Sequence, residues 1–442
     1  MTEQAHAGNR ARKRAIIASL VGNYVEWYEF TVYAFLAGVI GELFFPSSDK
    51  TTSLLASYAV FGLAFIARPL GGVVFGHIGD RFGRRGALAA IIILLSFATG
   101  ALGFLPTYSA IGIAAPILLV VCRAVQGFAL GGELSGATTF LMEFSPTGRR
   151  GLYTSLIGAG AALGLITGAL LALFLNATLS PESLRSWGWR VPFVVGMALA
   201  LIGFYIRLRL EETPAFSAVV ERRQVARAPI VESFGKHFPT MVLLFCFQAS
   251  VSLVFYLVAA YLPGYFIRTL GVARLTALLL TLASFAVAMV LCPIIGALSD
   301  RFGRRALALV TNGWPVVTSV LAFLLLNGAS MVGIVAGVVL LSISLALGLT
   351  IAPILFAEIF PVRVRYSGSS IAYNLSQMVF GGTAPLFATY LVASTGDKLS
   401  PAYYVSIVGL LAFIATYFFM PETSRSSSAE PRIGLEGVSE AR

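Results

Sequence analysis

Long apolar blocks alternate with short polar ones along the whole chain. Blocks near 16–41, 54–77, 87–105, 112–141, 152–176 and 189–208 are followed by a second set near 240–265, 276–298, 306–327, 331–357, 367–394 and 402–420. Most reach the roughly 20 residues that a helix needs to cross a bilayer. Continuous helices also satisfy every backbone N–H and C=O where water is absent. The pattern predicts an all-α polytopic membrane protein of about twelve transmembrane helices. Polar stretches set the expected organisation: a segment at 1–15, six helices within 16–208, a charged linker at 209–238, six more helices within 239–420, and a tail at 421–442.

Composition agrees with that pattern. Apolar side chains make up 57% of the 442 residues and charged ones 12%, with mean hydropathy +0.86; soluble domains carry roughly twice that charged fraction. The net charge of +11 raises nucleic-acid binding, and the location of the charge removes it. If the N-terminus is cytoplasmic, most of the 31 Lys and Arg residues fall in cytoplasmic segments. Lys50, Arg185, Arg190, Arg268, Arg274 and Lys398 fall outside, and Arg68 and Arg123 lie within spans. This is the positive-inside asymmetry. It implies an inner (plasma) membrane protein with both termini in the cytoplasm and no nucleic-acid partner. The basic start (Arg10, Arg12, Lys13, Arg14) leads into an apolar block longer than a signal-peptide core, so no cleavable leader is expected. Cys122, Cys246 and Cys292 sit in apolar spans without ligand spacing and read as small buried residues, with no metal site. No cofactor motif is present either: there is no HExxH, GxSxG or P-loop, which argues against an enzyme and against direct use of ATP.

The chain repeats itself. Gly76-His-Ile-Gly-Asp80-Arg81-Phe82-Gly83-Arg84-Arg85 returns as Gly296-Ala-Leu-Ser-Asp300-Arg301-Phe302-Gly303-Arg304-Arg305, close to half a chain length later. A weaker echo links Glu143-Phe-Ser-Pro146 to Glu358-Ile-Phe-Pro361, each followed by arginines. Two copies of a six-helix unit in parallel repeat place a binding site between them near the midplane. The Asp-Arg-x-Gly-Arg-Arg turn between the second and third helices of each half resembles the signature of the major facilitator superfamily. The resemblance covers the whole chain and implies two pseudo-symmetric six-helix bundles working by alternating access. A glycine turn lets the flanking helices approach. Asp80, Arg81, Arg84, Asp300, Arg301 and Arg304, with Glu143 and Glu358, are therefore expected to form a cytoplasmic latch. A plain basic loop is the blander reading.

Charge in mid-bilayer costs several kcal/mol unless paired or wetted, so the intramembrane charges point to function. They are Glu26 and Glu29 in the first helix, Arg68 in the second, and Arg123 and Glu133 in the fourth. Counting depth at about 1.5 Å per residue sets Arg123 level with Glu26 and Glu29, and Arg68 level with Glu133; those are the expected pairs. A buried carboxylate whose neighbours change can take up and release a proton. Glu29, Glu26 and Glu133, in that order, are the candidates for proton coupling, and permanent ion pairs that fix packing are the alternative.

The sequence Gly22-Asn-Tyr-Val-Glu26-Trp-Tyr-Glu29-Phe, then Arg68-Pro-Leu-Gly-Gly, Arg123-Ala-Val-Gln126-Gly-Phe and Trp187-Gly-Trp-Arg190-Val-Pro resembles the metabolite:proton symporter family. That family's members carry proline and betaine, oxoglutarate, citrate and shikimate. Its helix-one pattern usually has Asp where this chain has Glu29. EETPAF at 211–216, PVRVRYS at 361–367 and PAYY at 401–404 are closest to the proline/betaine branch. The 421–442 segment shows no heptads, so the coiled coil of osmosensing members is not expected.

Tyr24, Trp27, Tyr28 and Tyr33 crowd the helix-one glutamates and either cage a quaternary ammonium by cation–π attraction or simply pack. Gln126, Gln248, Tyr256, Asn374 and Gln377 either hydrogen-bond substrate or bond between helices. With Arg68 and Arg123 they complete the expected substrate set. The resulting expectation is a functional monomer in the bilayer that imports a small polar metabolite with protons. The metabolite is a zwitterion such as proline or betaine, or else an organic acid. An uncoupled facilitator or exporter is the alternative within transport, and a transporter-like sensor is the alternative outside it.

Overall fold

The structure is a computed structural model. It describes residues 2–146, 148–328 and 330–424, with backbone alone for 2–12, 50, 51, 54 and 58. The side chains of Arg10 and Arg12, and most of the 421–442 segment, lie outside the described residues.

Twelve long helical segments follow in order among the described residues. The first half comprises α1 (Thr2–Phe44), α2 (Lys50–Phe82), α3 (Arg84–Phe104), α4 (Ala114–Phe144), α5 (Arg150–Thr178) and α6 (Val191–Leu208). The second comprises α7 (Phe238–Arg268), α8 (Arg274–Phe302), α9 (Arg304–Asn327), α10 (Met331–Glu358), α11 (Val362–Thr395) and α12 (Ser400–Phe419). Segments α2 to α12 are long and apolar enough to cross a membrane. α1 is longer than any of them, but Asn23, Glu26 and Glu29 are buried along it and lower its hydropathy. Large apolar side chains such as Phe97, Val317, Val332 and Leu386 face outward, as lipid-facing positions do. The stretch between α6 and α7 is not wholly loop: it carries short helices at Pro214–Glu221 and Pro229–Lys236.

The repeated turn has the same physical basis in both halves. Gly83 and Gly303 have φ of 114° and 96°, a region that L side chains avoid. Each ends one helix and starts the next. A Cβ there would also collide with a carboxylate, Glu212 at Gly83 and Glu422 at Gly303. Those carboxylates cap the next helix: Glu212 accepts the N–H groups of Arg84 and Arg85 at 3.2 Å each. Glu422 accepts those of Arg304 at 2.9 Å and Arg305 at 3.1 Å. An anion at these positions satisfies N–H groups that otherwise lack partners and opposes the positive end of the helix dipole.

Within the first half, α1 packs on α5 and α2 on α4. The second contact depends on missing side chains, since a Cβ at Gly71, Gly127 or Gly131 would run into the backbone of Phe128, Ala64 or Arg68. The halves meet through α5 against α8 and α10, and α2 and α4 against α11. Two helices, α7 and α11, each carry a five-residue π-helical step, Leu257–Tyr261 and Gln377–Gly381. Such steps concentrate at functional sites.

Candidate functional site

All hydrogen bonds and ion pairs found between the halves among the described residues lie from mid-depth toward the end carrying the two Asp-Arg-Phe-Gly turns, called here the basic end. Asp80 of α2 accepts the N–H groups of Tyr366 at 3.2 Å and Ser367 at 2.8 Å. Asp300 of α8 accepts those of Gly151 at 2.7 Å and Leu152 at 2.8 Å. Each aspartate thus caps a helix of the opposite half. Arg84 lies 3.2 Å from Glu143, which also pairs with Arg365 across the boundary at 2.9 Å. Arg304 grips Glu358 with two bonds of 3.0 Å and Asp300 at 2.9 Å. Tyr366 donates its hydroxyl to the Gly132 carbonyl, and Asn374 donates to that of Gly131 at 2.5 Å. The basic end is closed.

Six of the eight residues expected in a latch meet here. Arg81 and Arg301 do not: both are exposed, and each lies over its neighbouring ring, Phe82 or Phe302. They are the outer residues of the turn, whose inner face is filled by Arg84 and Arg304. Arg365, Glu212 and Glu422 complete the assembly, and none was singled out from the sequence.

The intramembrane charges form three separate groups, and one of the two pairings expected from depth, Arg68 with Glu133, is wrong. Arg68 pairs with Glu26, not Glu133. Glu133 pairs instead with Arg207, whose guanidinium also donates to the Leu88 carbonyl at 2.7 Å. Arg207 was counted with the cytoplasmic arginines because it precedes Arg209 and the charged linker; it is fully buried. Its chain turns inward from the end of α6 to meet α1 and α4. Depth along each helix gave level but not azimuth, and it missed an arginine that reaches back into the bilayer. The third group is a relay. Arg123 donates to Gln126 Oε1 at 2.9 Å, and Gln126 Nε2 donates to Glu29 at 3.0 Å and Thr99 at 2.8 Å. Arg123 therefore reaches Glu29 through an amide rather than directly, and its guanidinium lies 4.0 Å from the centroid of the Tyr33 ring.

Only one group stands at the boundary between the halves. Arg68, from α2, lies within electrostatic range of Tyr256 of α7 and Tyr373 of α11 as well as Glu26. The Tyr256 hydroxyl is buried without a hydrogen-bond partner, as are Glu26 Oε2 and Arg68 Nη1. Beside this group is a small cavity of about 40 Å³ lined by both halves, including Asn23, Trp27, Gln248, Ser252, Phe255, Tyr373 and Gln377. At roughly 10–15 Å³ per water it has room for a few waters. Three of the residues that line it hold buried polar atoms without a hydrogen-bond partner: both ends of the Asn23 amide, Gln248 Oε1 and Gln377 Oε1. Trp27 meets Phe255 at 4.6 Å between ring centroids, and Phe65 meets Tyr256 at 5.2 Å. The larger cavity, about 760 Å³, lies at the basic end among Arg150, Arg301, Arg305 and the Asp300–Arg304–Glu358 group.

The expected substrate set therefore divides. Trp27, Gln248 and Gln377 line the cavity, and Arg68 and Tyr256 stand beside it. Tyr24 receives a bond from Thr167, Tyr28 donates to the Pro192 carbonyl, and Tyr33 donates to that of Ser57, all within the first half. Gln126 and Arg123 are occupied by the relay, and Asn374 ties the halves below the cavity. Asn23, Ser252, Phe255 and Tyr373 were missed; buried polar residues at bilayer depth were the available signal.

Comparison with known proteins agrees with this architecture. The sugar (and other) transporter family model matches twice, over residues 14–233 and 229–430. A putative proline/betaine transporter of Staphylococcus aureus (strain COL) is 36% identical over 94% of this chain and 90% of its own length. The proline/betaine transporter of Escherichia coli (strain K12) is 34% identical over 93% and 84%. Among solved structures, the proton:xylose symporter XylE bound to 6-bromo-6-deoxy-D-glucose gives a TM-score of 0.79 at 18% identity, over 94% of this chain and 97% of that one. Its partially occluded inward-open form from E. coli gives 0.69 at 19%, over 94% and 99%. The chain belongs to the major facilitator superfamily, in the metabolite:proton symporter family with the proline/betaine transporters as its relatives, and it is a multi-pass secondary transporter and not an enzyme.

Proposed function

We propose that this transporter carries a small zwitterion of the proline/betaine class inward across the plasma membrane together with a proton. The basic end is then the cytoplasmic end, with both termini there, and the structure is the state closed to the cytoplasm. One observation carries the reading. The Glu26–Arg68 pair is buried where the two halves meet, against Tyr256 and Tyr373 and beside a cavity with an aromatic wall. A guanidinium suits a carboxylate, and the Trp27–Phe255 wall suits a substituted ammonium. The arrangement also argues about charge. Arg68 and Arg123 are balanced by Glu26 and Glu29, so the region is neutral overall and fits a neutral zwitterion better than a multiply charged organic acid. The names of the relatives point the same way, and a functional monomer fits a site made wholly within one chain.

Uptake into proteoliposomes tests this with labelled proline, betaine, oxoglutarate, citrate and shikimate under an inward proton gradient. Accumulation of proline or betaine that collapses with protonophore is expected. Accumulation of an organic acid instead would overturn the substrate class, and indifference to protonophore would leave an uncoupled facilitator.

A further inference from the structure

We infer that the cavity between the halves takes the nitrogen end of the zwitterion and selects for N–H groups on it, so that proline is preferred to a fully N-methylated ammonium such as betaine. The inference rests on the zwitterion reading of the site and narrows the substrate class within it.

The cavity wall is polar in places but carries no charge. Among the described residues that line it there is no Asp, Glu, Lys, Arg or His. Recognition is left to hydrogen-bonding side chains. Asn23 comes from α1 of the first half, Gln248 from α7 and Gln377 from α11 of the second. None of the three is more than 3% exposed, so bulk water does not serve them.

The bonds made inside the protein use up the donor ends of the two glutamines. Gln248 Nε2 donates to the Ser252 hydroxyl at 3.0 Å, and Gln377 Nε2 donates to the Tyr373 hydroxyl at 2.6 Å. Gln248 Oε1, Gln377 Oε1 and Asn23 Oδ1 have no partner among the described residues, and of the three amide nitrogens only Asn23 Nδ2 is left over. An amide oxygen accepts and never donates. The lining is therefore rich in acceptors. A carboxylate, itself acceptor-only, cannot satisfy them, whereas an ammonium with N–H groups can. A quaternary ammonium has no N–H and would bury the oxygens without giving them a bond, at the desolvation cost of each.

Local structure keeps these amides in place. Gln248 and Ser252 lie one turn apart on α7, so their bond is made within one helix face. Gln377 opens the π-helical step of α11, where its carbonyl accepts the N–H of Gly382 at 2.9 Å. A Cβ at Gly381 would stand 2.9 Å from Gln377 Oε1 and 2.6 Å from the Tyr256 ring; the glycine leaves room for both. Trp27 and Phe255 form the apolar side of the wall. Aromatic faces attract a methylated ammonium as well as any other, so the acceptors decide the order. The cavity has room for less than a whole zwitterion, and its wall must part as substrate enters.

The test is equilibrium binding of proline, N-methylproline and N,N-dimethylproline to the purified full-length protein. The series keeps the ring and the carboxylate and removes one N–H at each step. Each removal should raise Kd about tenfold, and betaine should fall with the dimethyl form. 5-Methylproline places a methyl beside the nitrogen but keeps both N–H groups, and it should bind nearly as well as proline. Gln248→Met and Asn23→Leu should narrow the gap between proline and N,N-dimethylproline, chiefly by weakening proline. Equal or tighter binding of the dimethyl form overturns the inference while the zwitterion reading stands. So does 5-methylproline falling as far as N-methylproline, because bulk would then set the order. Loss of affinity by the same factor for every ligand in both variants would make the amides structural and overturn their assignment. Failure of all these ligands to bind overturns the zwitterion reading and the inference with it. A graded series beside uptake indifferent to protonophore would sustain the inference and overturn symport.

Discussion

Asp80 accepts the backbone N–H of Ser367 at 2.8 Å across the boundary between the two halves. Its repeat counterpart, Asp300, does the same for Leu152 at 2.8 Å. The two bonds are related by the internal pseudo-symmetry and run in opposite directions, each half supplying one carboxylate and one helix N-terminus. Opening the basic end would break both bonds.

Hydrogen bonds to a charged group contribute about 1.5–3 kcal/mol each. Asp80→Asn and Asp300→Asn should each shift the population about ten- to hundredfold toward the form open at the basic end. A cysteine at Leu349, on the cavity wall, reports this as faster labelling by a membrane-impermeant maleimide applied from that side. Unchanged labelling in both variants would remove the aspartates from the latch.

Closure also requires two glycines. A Cβ on Gly296 would meet Ser155 and the Gly151 carbonyl, and one on Gly151 would meet the Gly296 carbonyl. Gly296→Val should therefore hold α5 and α8 apart at the basic end. The same labelling assay should show an open form, and uphill uptake should fall at least tenfold while the protein remains folded by thermal denaturation.

Glu133 and Arg207 make a fixed pair away from the cavity, tied to α1 and α3 by carbonyls. Breaking a buried pair by removing one partner costs about 3–5 kcal/mol, whereas replacing both by apolar groups is often neutral. Glu133→Gln should lower the melting temperature in detergent markedly, and the double variant Glu133→Leu, Arg207→Leu should recover most of it. Wild-type stability with lost proton coupling in Glu133→Gln would return Glu133 to the proton path.

At the surface, Glu422 caps α9. Burial pushes its carboxyl up, but hydrogen bonds from Ser424 and the N–H groups of Arg304 and Arg305 outweigh that and hold it below the usual carboxylate value. A carboxyl depressed on folding stabilises above its unfolded value and loses the effect as pH falls through its folded one. The Arg304–Arg305 amides should be protected from hydrogen exchange at neutral pH, progressively less so once pH drops below the ordinary Glu range. In Glu422→Gln that pH dependence should be absent.

The fold was legible because it is written in block lengths and an internal repeat: twenty-residue apolar runs admit few structures, and Gly83 and Gly303 mark the same turn twice. The buried intramembrane charges were legible by type and depth, since Glu26, Glu29, Arg68, Arg123 and Glu133 are costly wherever they fall in a bilayer. Their partners were not legible. Level along a helix does not give the face it presents, so Arg68 was assigned to Glu133 when Glu26 was on its side. Arg207 was hidden because a long side chain at a span's end can turn back inward. The second half's contribution, Tyr373 with Gln248 and Gln377, was mostly visible as uncharged polar residues, which structural bonding explains equally well until the cavity is seen.

Simultaneous recording of labelled proline uptake and internal pH in proteoliposomes decides whether one proton enters with each zwitterion. With the membrane potential clamped, internal acidification should begin with proline addition, at about one proton per proline, and be absent in Glu26→Gln although proline exchange persists. Proline uptake by the wild-type protein with no accompanying acidification would remove the proton from transport.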